Sequence, residues 1–207
     1  MKLPRDFYAR DTLLVARELL GMHLVHVGAG SAGWRRVGRI VETEAYKGAD
    51  GDRAAHSWRG PTPRNRVMFG PPGHAYVYFV YGMHFCFNVV TEPEERACAV
   101  LVRALEPVEG LSERTSGPAL LCRAMGIDRS CNGVDLCGPV LWIEEPGGGA
   151  AARRRVRVGR SARIGVDYAG AWAQRPWRFF DRDSTFVSTA RRSSARSPRT
   201  TRSTSSR

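Results

Sequence analysis

Residues 39–46 read Arg-Ile-Val-Glu-Thr-Glu-Ala-Tyr, a segment in which apolar and polar side chains follow a period of two. This period predicts a β-strand, in which successive side chains point to opposite faces of the sheet. Glu42, Glu44 and Tyr46 then share one face of the strand. A carboxylate beside apolar walls can be tuned as a general base, so this face is a candidate site. The competing interpretation is an edge strand with a solvated acidic face.

The composition is that of a basic globular protein. The chain has 207 residues, of which 43% are hydrophobic, enough for one well-packed domain or two small ones. The net charge of +12 comes almost entirely from arginine, since lysine occurs only at positions 2 and 47. Such a charge favours an anionic partner, nucleic acid first and an anionic membrane second. Guanidinium groups suit bidentate phosphate contacts, although a codon bias toward arginine would produce the same composition.

Cysteine and histidine usage gives no sign of a disulfide framework or a metal site. The cysteines are odd in number, form no C-x-x-C pair and follow no signal-like segment, which predicts reduced, mostly buried thiols in a cytoplasmic protein. The histidines lack zinc-type spacing, and no apolar run is long enough to cross a membrane. We therefore expect no metal, no cofactor and no membrane partner. The cysteines are Cys86, Cys98, Cys122, Cys131 and Cys137.

Local patterns divide the chain into a folded part, 1–187, and a basic Ser/Thr/Arg-rich tail, 188–207, which we predict to be disordered. One helix is predicted over 8–20, with Asp11 or Thr12 as its cap, and a second from an N-cap at Ser116 to Met125. Further strands are predicted over 22–27, 97–105, 140–143 and 177–180.

Residues 74–90 predict a β-hairpin that is interrupted by Tyr81-Gly82-Met83. A large side chain such as Tyr81, exposed at a hairpin tip of a basic protein, could act as a wedge between base pairs. The competing interpretation is that Tyr81 folds back into the core.

Seven segments, in order along the chain, carry a resemblance to a known family: RIVETEAY (39–46), AAHS (54–57), TPRNRVMF (62–69), YVYFVYGMHFCFNV (76–89), VLVRALEPVEGL (100–111), SGPALLCRAMGI (116–127) and RIGVDYAGAW (163–172). They resemble the alkyladenine DNA glycosylase family, the 3-methyladenine DNA glycosylases of the mammalian type. The resemblance implies a single α+β domain in which helices surround a curved, mainly antiparallel sheet, with a protruding DNA-intercalating β-hairpin. It also implies a monomeric, monofunctional enzyme of base-excision repair, nucleoid-associated in a bacterium. Its substrates would be 3-methyladenine, 7-methylguanine, ethenoadenine and hypoxanthine in double-stranded DNA.

The same resemblance assigns roles to individual residues. Glu44 matches the general base that activates a water, and Arg103 matches the arginine that holds this water and the carboxylate in place. The remaining roles concern the base and the DNA around it. The flipped purine would lie between Tyr46, His56 and Tyr78. Asn88 would exclude normal guanine, and Leu101 would line the pocket. Outside the pocket, Tyr81 would fill the gap in the duplex, Met83 would contact the groove, and Arg64 and Arg66 would contact phosphates.

The chain departs from the family pattern in its middle and at its end. The segment 110–116 is short where relatives carry a basic insert, one extra residue separates Tyr46 from His56, and the tail resembles nothing in the family. One alternative is therefore a damaged-DNA-binding protein of the same fold with impaired turnover. A second alternative is an O-glycoside hydrolase that uses Glu42 and Glu44 as its carboxylate pair.

Overall fold

Strand β2 (Arg35–Lys47) is the longest element of the computed structural model, which describes residues 1–28, 33–80, 83–147 and 156–188. It pairs antiparallel with three strands: β1 (His23–Val27), β5 (Cys98–Glu109) and β8 (Arg178–Asp181). Strand β5 follows one edge of β2 throughout, so β1 and β8 share the other edge. The 39–46 segment therefore lies in the middle of the sheet, and its interpretation as an edge strand is wrong.

The other elements complete one curved antiparallel sheet and its cover. The strand order is β3-β4-β5-β2-β1-β6, and β7 joins through β8. The few helices are short, and with the antiparallel sheet they make an α+β fold, as predicted. The remaining strands are β3 (Ala75–Val80), β4 (His84–Thr91), β6 (Leu141–Glu144) and β7 (Val158–Ser161); the helices are α1 (Arg5–Tyr8), α2 (Thr12–Glu18) and α3 (Pro118–Met125), with 3₁₀ segments at Gly48–Asp50, Arg66–Phe69, Arg129–Cys131 and Asp167–Gln174.

Three irregularities interrupt the pairing of β2 with β5, one between Val37 and Gly38 and two beside Glu42. Ile40 lies opposite Leu105 and Glu42 opposite Ala104, so Val41 is an extra residue on β2. On β5 the pairing then passes from Ala104 to Val102, which leaves Arg103 as the extra residue there. Bulges of this kind bend a strand and redirect the side chain at the bulge. They place Arg103 beside the acidic face of β2.

The opposite face of β2 packs into the main hydrophobic core. The Thr43 hydroxyl donates a hydrogen bond to the Ala16 carbonyl of α2 over 2.7 Å, so α2 covers that face. Asp11 caps helix α2, because its carboxylate accepts hydrogen bonds from the N–H groups of Leu13 and Leu14 in the first turn. The acidic face is thus directed away from the main core.

Several local predictions differ from the structure. The helix predicted over 8–20 is shorter: α1 ends at Tyr8, and α2 begins only at Thr12, after the predicted cap Asp11. Ser116 does not cap α3; Gly117 does, with a φ of 137° that suits glycine, while Ser116 forms a β-bridge with Ala104. Strand β7 was not predicted.

Two predictions fall at or beyond the limits of the described residues. Strands β3 and β4 form the predicted hairpin, but Tyr81 lies outside the described residues. The tail was predicted to begin at Ser188, yet Ser188 is buried and its N–H donates to Glu42 over 2.7 Å. Residues 189–207 lie outside the described part of the chain.

Candidate active site

A cavity of about 300 Å³ opens on the acidic side of the sheet. Strands β2, β3, β4 and β5 supply half of its lining residues, because neighbouring strands direct alternate side chains to the same face. The structure brings together seven of the residues predicted for the site. These are Tyr46, His56, Arg64, Tyr78, Asn88, Leu101 and Arg103.

Aromatic rings form one side of this cavity. The His56 and Tyr78 rings meet edge to face at 4.4 Å between centroids, and Tyr76 lies 5.4 Å from Tyr78. Burial, followed by the charge of Arg64, lowers the pKa of His56, so its imidazole is neutral near pH 7. Arg64 itself lies over Tyr78 and donates to the Phe79 carbonyl over 2.7 Å, at the edge of the cavity. Neutral π faces of this kind suit an electron-poor or cationic ring.

The floor is built by adjacent positions of β4 and β5. Asn88 pairs with Leu101 across these strands, and both side chains are buried. The Asn88 amide donates to the Tyr76 carbonyl over 3.0 Å, which fixes the orientation of the amide. An amide fixed in this way can discriminate between purines by the groups that they present.

The Glu44 carboxylate is fully buried behind the side chains that line the cavity. One oxygen accepts from the Ile164 N–H over 2.8 Å. The other accepts from the Tyr46 hydroxyl over 2.7 Å and from the Arg103 guanidinium over 3.3 Å. Burial, followed by the charge of Glu44, raises the pKa of Tyr46 well above its ordinary value, so the phenol keeps its proton and remains a donor. Three donors from three segments therefore hold the carboxylate in one orientation.

Arg103 is shared between two acids. Its Nε donates to Glu42 over 3.0 Å, while a terminal nitrogen donates to Glu44. Burial lowers the pKa of Arg103, but the carboxylates of Glu44 and Glu42 outweigh it and raise the pKa above its ordinary value. Glu42 also accepts from Arg178 over 2.6 Å and does not line the cavity. The two acids share one guanidinium and so do not straddle a sugar, which argues against the O-glycoside hydrolase.

The loop that contains Ile164 is anchored by a buried ion pair that sequence reasoning missed. Arg163 donates to both oxygens of Asp52, over 2.6 and 2.8 Å, and neither side chain is exposed. The same guanidinium donates to the Ala45 carbonyl of β2 over 2.8 Å. These contacts set the Ile164 N–H against Glu44. The only sequence signal was the position of Arg163 at the start of the family-like segment 163–172.

The predicted DNA contacts are not all part of the cavity. Met83 is 71% exposed near the hairpin tip and borders a separate depression beside Arg123 of α3. Arg66 is exposed at the start of its 3₁₀ segment and does not line the cavity. Their roles toward DNA stay predictions.

Three further properties concern the described residues. Within them, no group of three His, Cys, Asp or Glu side chains is arranged to hold a metal ion. None of the helices in the described ranges is long and apolar enough to span a membrane. The five cysteines are unpaired thiols, and four of them are buried, as predicted.

The family model described as "Methylpurine-DNA glycosylase (MPG)" matches residues 6–185, which include the whole cavity. The chain belongs to the methylpurine-DNA glycosylase family. It is a monofunctional DNA glycosylase, a hydrolase of DNA repair that acts on alkylated bases in DNA. The family predicted from the sequence segments is thereby confirmed.

Curated relatives cover nearly the whole of this glycosylase. A protein of Anaeromyxobacter dehalogenans (strain 2CP-C) is 56% identical over 189 residues, which are 91% of this chain and 87% of the relative. One from Myxococcus xanthus (strain DK1622) is 56% identical over 90% of this chain and 93% of its own length. One from Legionella pneumophila (strain Corby) is 49% identical over 90% of this chain and 98% of its own length. Each carries the name "Putative 3-methyladenine DNA glycosylase".

Proposed function

We propose that this glycosylase flips alkylated or deaminated purines out of duplex DNA and hydrolyses their N-glycosidic bond with a water that Glu44 activates. The substrate class includes 3-methyladenine, 7-methylguanine, ethenoadenine and hypoxanthine. The observation that carries the proposal is the Glu44 carboxylate, fully buried and oriented by three donors directly behind an aromatic cavity. The names of the relatives point to the same chemistry.

The reaction that fits this geometry is a displacement by water. The C1′–N bond of the lesion nucleotide breaks, and its electron pair leaves with the base. The water oxygen bonds to C1′ while Glu44 accepts the water proton, which leaves an abasic site. As the bond breaks, positive charge develops on the sugar, and a negative carboxylate nearby stabilises it. Arg103, held by two acids, keeps Glu44 aligned with the cavity.

The side chains that line the cavity select the base. Tyr46, His56 and Tyr78 offer uncharged π faces, which attract electron-poor or cationic purines. The fixed Asn88 amide crowds the exocyclic amine of guanine and so disfavours the normal base. Flipping a base out of duplex DNA costs roughly a few kcal/mol, and this cost is lowest for a damaged or mispaired base.

The β3–β4 hairpin is our candidate for the element that holds the duplex open. Its strands are joined through Tyr81, which would fill the gap left by the flipped nucleotide, and Met83, just before β4, is exposed. Arg64 and Arg66, in the loop before β3, would contact phosphates. This proposal rests on the position of the hairpin next to the cavity, because Tyr78 of β3 is part of the cavity wall.

Replacing Glu44 with Gln tests the catalytic role. In single-turnover excision of hypoxanthine or ethenoadenine from a duplex, we expect a rate loss of about 10²–10⁴-fold, typical of a lost general base. Binding to the damaged duplex should be largely retained. Glu106→Gln is the matched control, since this acid of β5 pairs with Arg39 and does not line the cavity. A near-normal rate for Glu44→Gln would remove Glu44 from its role, and a wild-type protein that releases no free base would favour the damage-binding alternative.

A further inference from the structure

A second cleft lies next to the base cavity and shares a wall with it. Ala54, His56 and Tyr168 line both, so the two spaces adjoin along one ridge. The outer side of the second cleft is made by Arg53, Trp58 and Arg59. None of the roles assigned to the base cavity uses these three residues.

The two arginines of this cleft are held on one ring. The guanidinium of Arg53 lies 5.7 Å and that of Arg59 5.1 Å from the ring centroid of Trp58, whose side chain is 40% exposed. Among the ion pairs of the described residues, none includes either arginine, whereas Arg64 at the neighbouring cavity donates to a carbonyl. Two like charges near one indole repel each other, and an anion in the cleft that both arginines line would relieve that repulsion. The cleft therefore has the chemistry of a site for a phosphate.

We propose that this cleft, lined by Arg53, Trp58 and Arg59, binds one backbone phosphate of the lesion strand, adjacent to the flipped nucleotide. The assignment rests on the proposed function, since it needs a nucleotide in the base cavity. A nucleotide seated there is joined to a phosphate on each side, and the shared wall at His56 leads one of them into the cleft. The exposed face of Trp58 can pack against the sugar that precedes or follows this phosphate. Tyr168, 71% exposed on the shared wall, has its hydroxyl 3.4 Å from the Ala54 carbonyl, at the boundary between the two spaces.

The test is a thermodynamic cycle that uses binding and not turnover. Duplexes with a non-hydrolysable abasic-site analogue carry a neutral methylphosphonate at one phosphate at a time around the lesion. For the wild-type protein, we expect one flanking position to weaken binding by about tenfold, the usual effect of losing a hydrogen bond to a charged group. In Arg59→Ala or Arg53→Ala that loss should largely disappear, because the phosphate has lost its partner.

Arg17→Ala is the matched control. Arg17 is an exposed arginine of α2, which covers the opposite face of β2. Each variant of the cleft should reduce the slope of log K against log salt by about 0.9, whereas the control should not change it. The proposal would be overturned if, at every position, the methylphosphonate weakened binding equally in the wild-type protein and in both cleft variants. A wild-type protein that does not bind this duplex would also overturn it. Release of free base from alkylated DNA is measured separately, so a failure of the catalytic proposal is distinguishable.

Discussion

Glu42→Gln tests whether this buried acid positions Arg103, the arginine that we propose keeps Glu44 aligned. The Glu42 carboxylate accepts from Arg103 over 3.0 Å, from Arg178 over 2.6 Å and from the Ser188 N–H over 2.7 Å. The amide removes the negative charge between two guanidinium groups and turns one acceptor into a donor. Removing one partner of a buried ion pair costs about 3–5 kcal/mol. For a chain of this size, that cost lowers Tm by about 6–20 °C in thermal unfolding followed by circular dichroism.

The same substitution should slow chemistry in the protein that remains folded. Without Glu42, the Arg103 guanidinium loses one of the two carboxylates that fix it, so its contact with Glu44 loosens. A misplacement of about 1 Å near reacting groups costs roughly 100-fold in rate. We expect single-turnover excision of hypoxanthine to fall by about 10–100-fold at a temperature well below the melting transition. Binding to an abasic-analogue duplex should change little.

Glu92→Gln is the control for this experiment. Glu92 is also a buried acid, bonded to the hydroxyl of Thr12 and ion-paired with Lys47, but it does not contact Arg103. Its variant should lose stability and keep the wild-type excision rate when folded. If folded Glu42→Gln also excises at the wild-type rate, the acid contributes to stability only, and the positioning argument is refuted.

Three further predictions concern the fold and the hairpin. Asp52→Asn breaks the buried pair with Arg163 and should cost about 3–5 kcal/mol in urea unfolding, whereas Glu113→Gln, at an exposed pair, should cost at most about 1 kcal/mol. Burial lowers the pKa of His26 below its ordinary 6.5, so below that pH the unfolded chain binds a proton that the folded chain does not. Stability should therefore decrease as pH falls below 6.5, by up to about 1.4 kcal/mol per pH unit for this residue, and His26→Gln should flatten the decrease in denaturant titrations at several pH values. Tyr81→Ala should weaken capture of the flipped state by roughly tenfold, measured by fluorescence of a base analogue; an unchanged signal would leave the hairpin without this role.

The alternation in residues 39–46 was sufficient to predict which side chains of β2 act together. Side-chain direction along a strand is a local property of the backbone, so Glu44 and Tyr46 had to share a face, and the structure joins them by a hydrogen bond. The same holds for the cap at Asp11 and for the β3–β4 hairpin, which depend on short-range chemistry. The alternation could not distinguish a central strand from an edge strand, because that depends on whether other strands, here β5 and β8, pair with both edges of β2.

The long-range contacts around Glu44, the candidate general base, could not be predicted from this alternation. Asp52 meets Arg163 across 111 residues of chain, and Glu42 meets Ser188 across 146. Neither contact leaves a periodic signal, since Asp, Arg, Glu and Ser are all residue types that are usually exposed at the surface. The bulge at Arg103 is likewise a result of the pairing between two strands and not of the residues around it.

By itself, the sequence determined which groups are candidates for the site: an acid on a strand face, aromatic residues in several segments, and many arginines of the kind that suit phosphate contacts. Only the tertiary structure decided what surrounds each acid: Glu44 lies behind the cavity wall, bonded to Tyr46 and to the Ile164 N–H, whereas Glu42 is bonded to Arg178 and Ser188. The physical reason is that the environment of a carboxylate is made by its neighbours in space. For Glu44 those neighbours come from residues 103 and 164, which only the folded sheet brings to it.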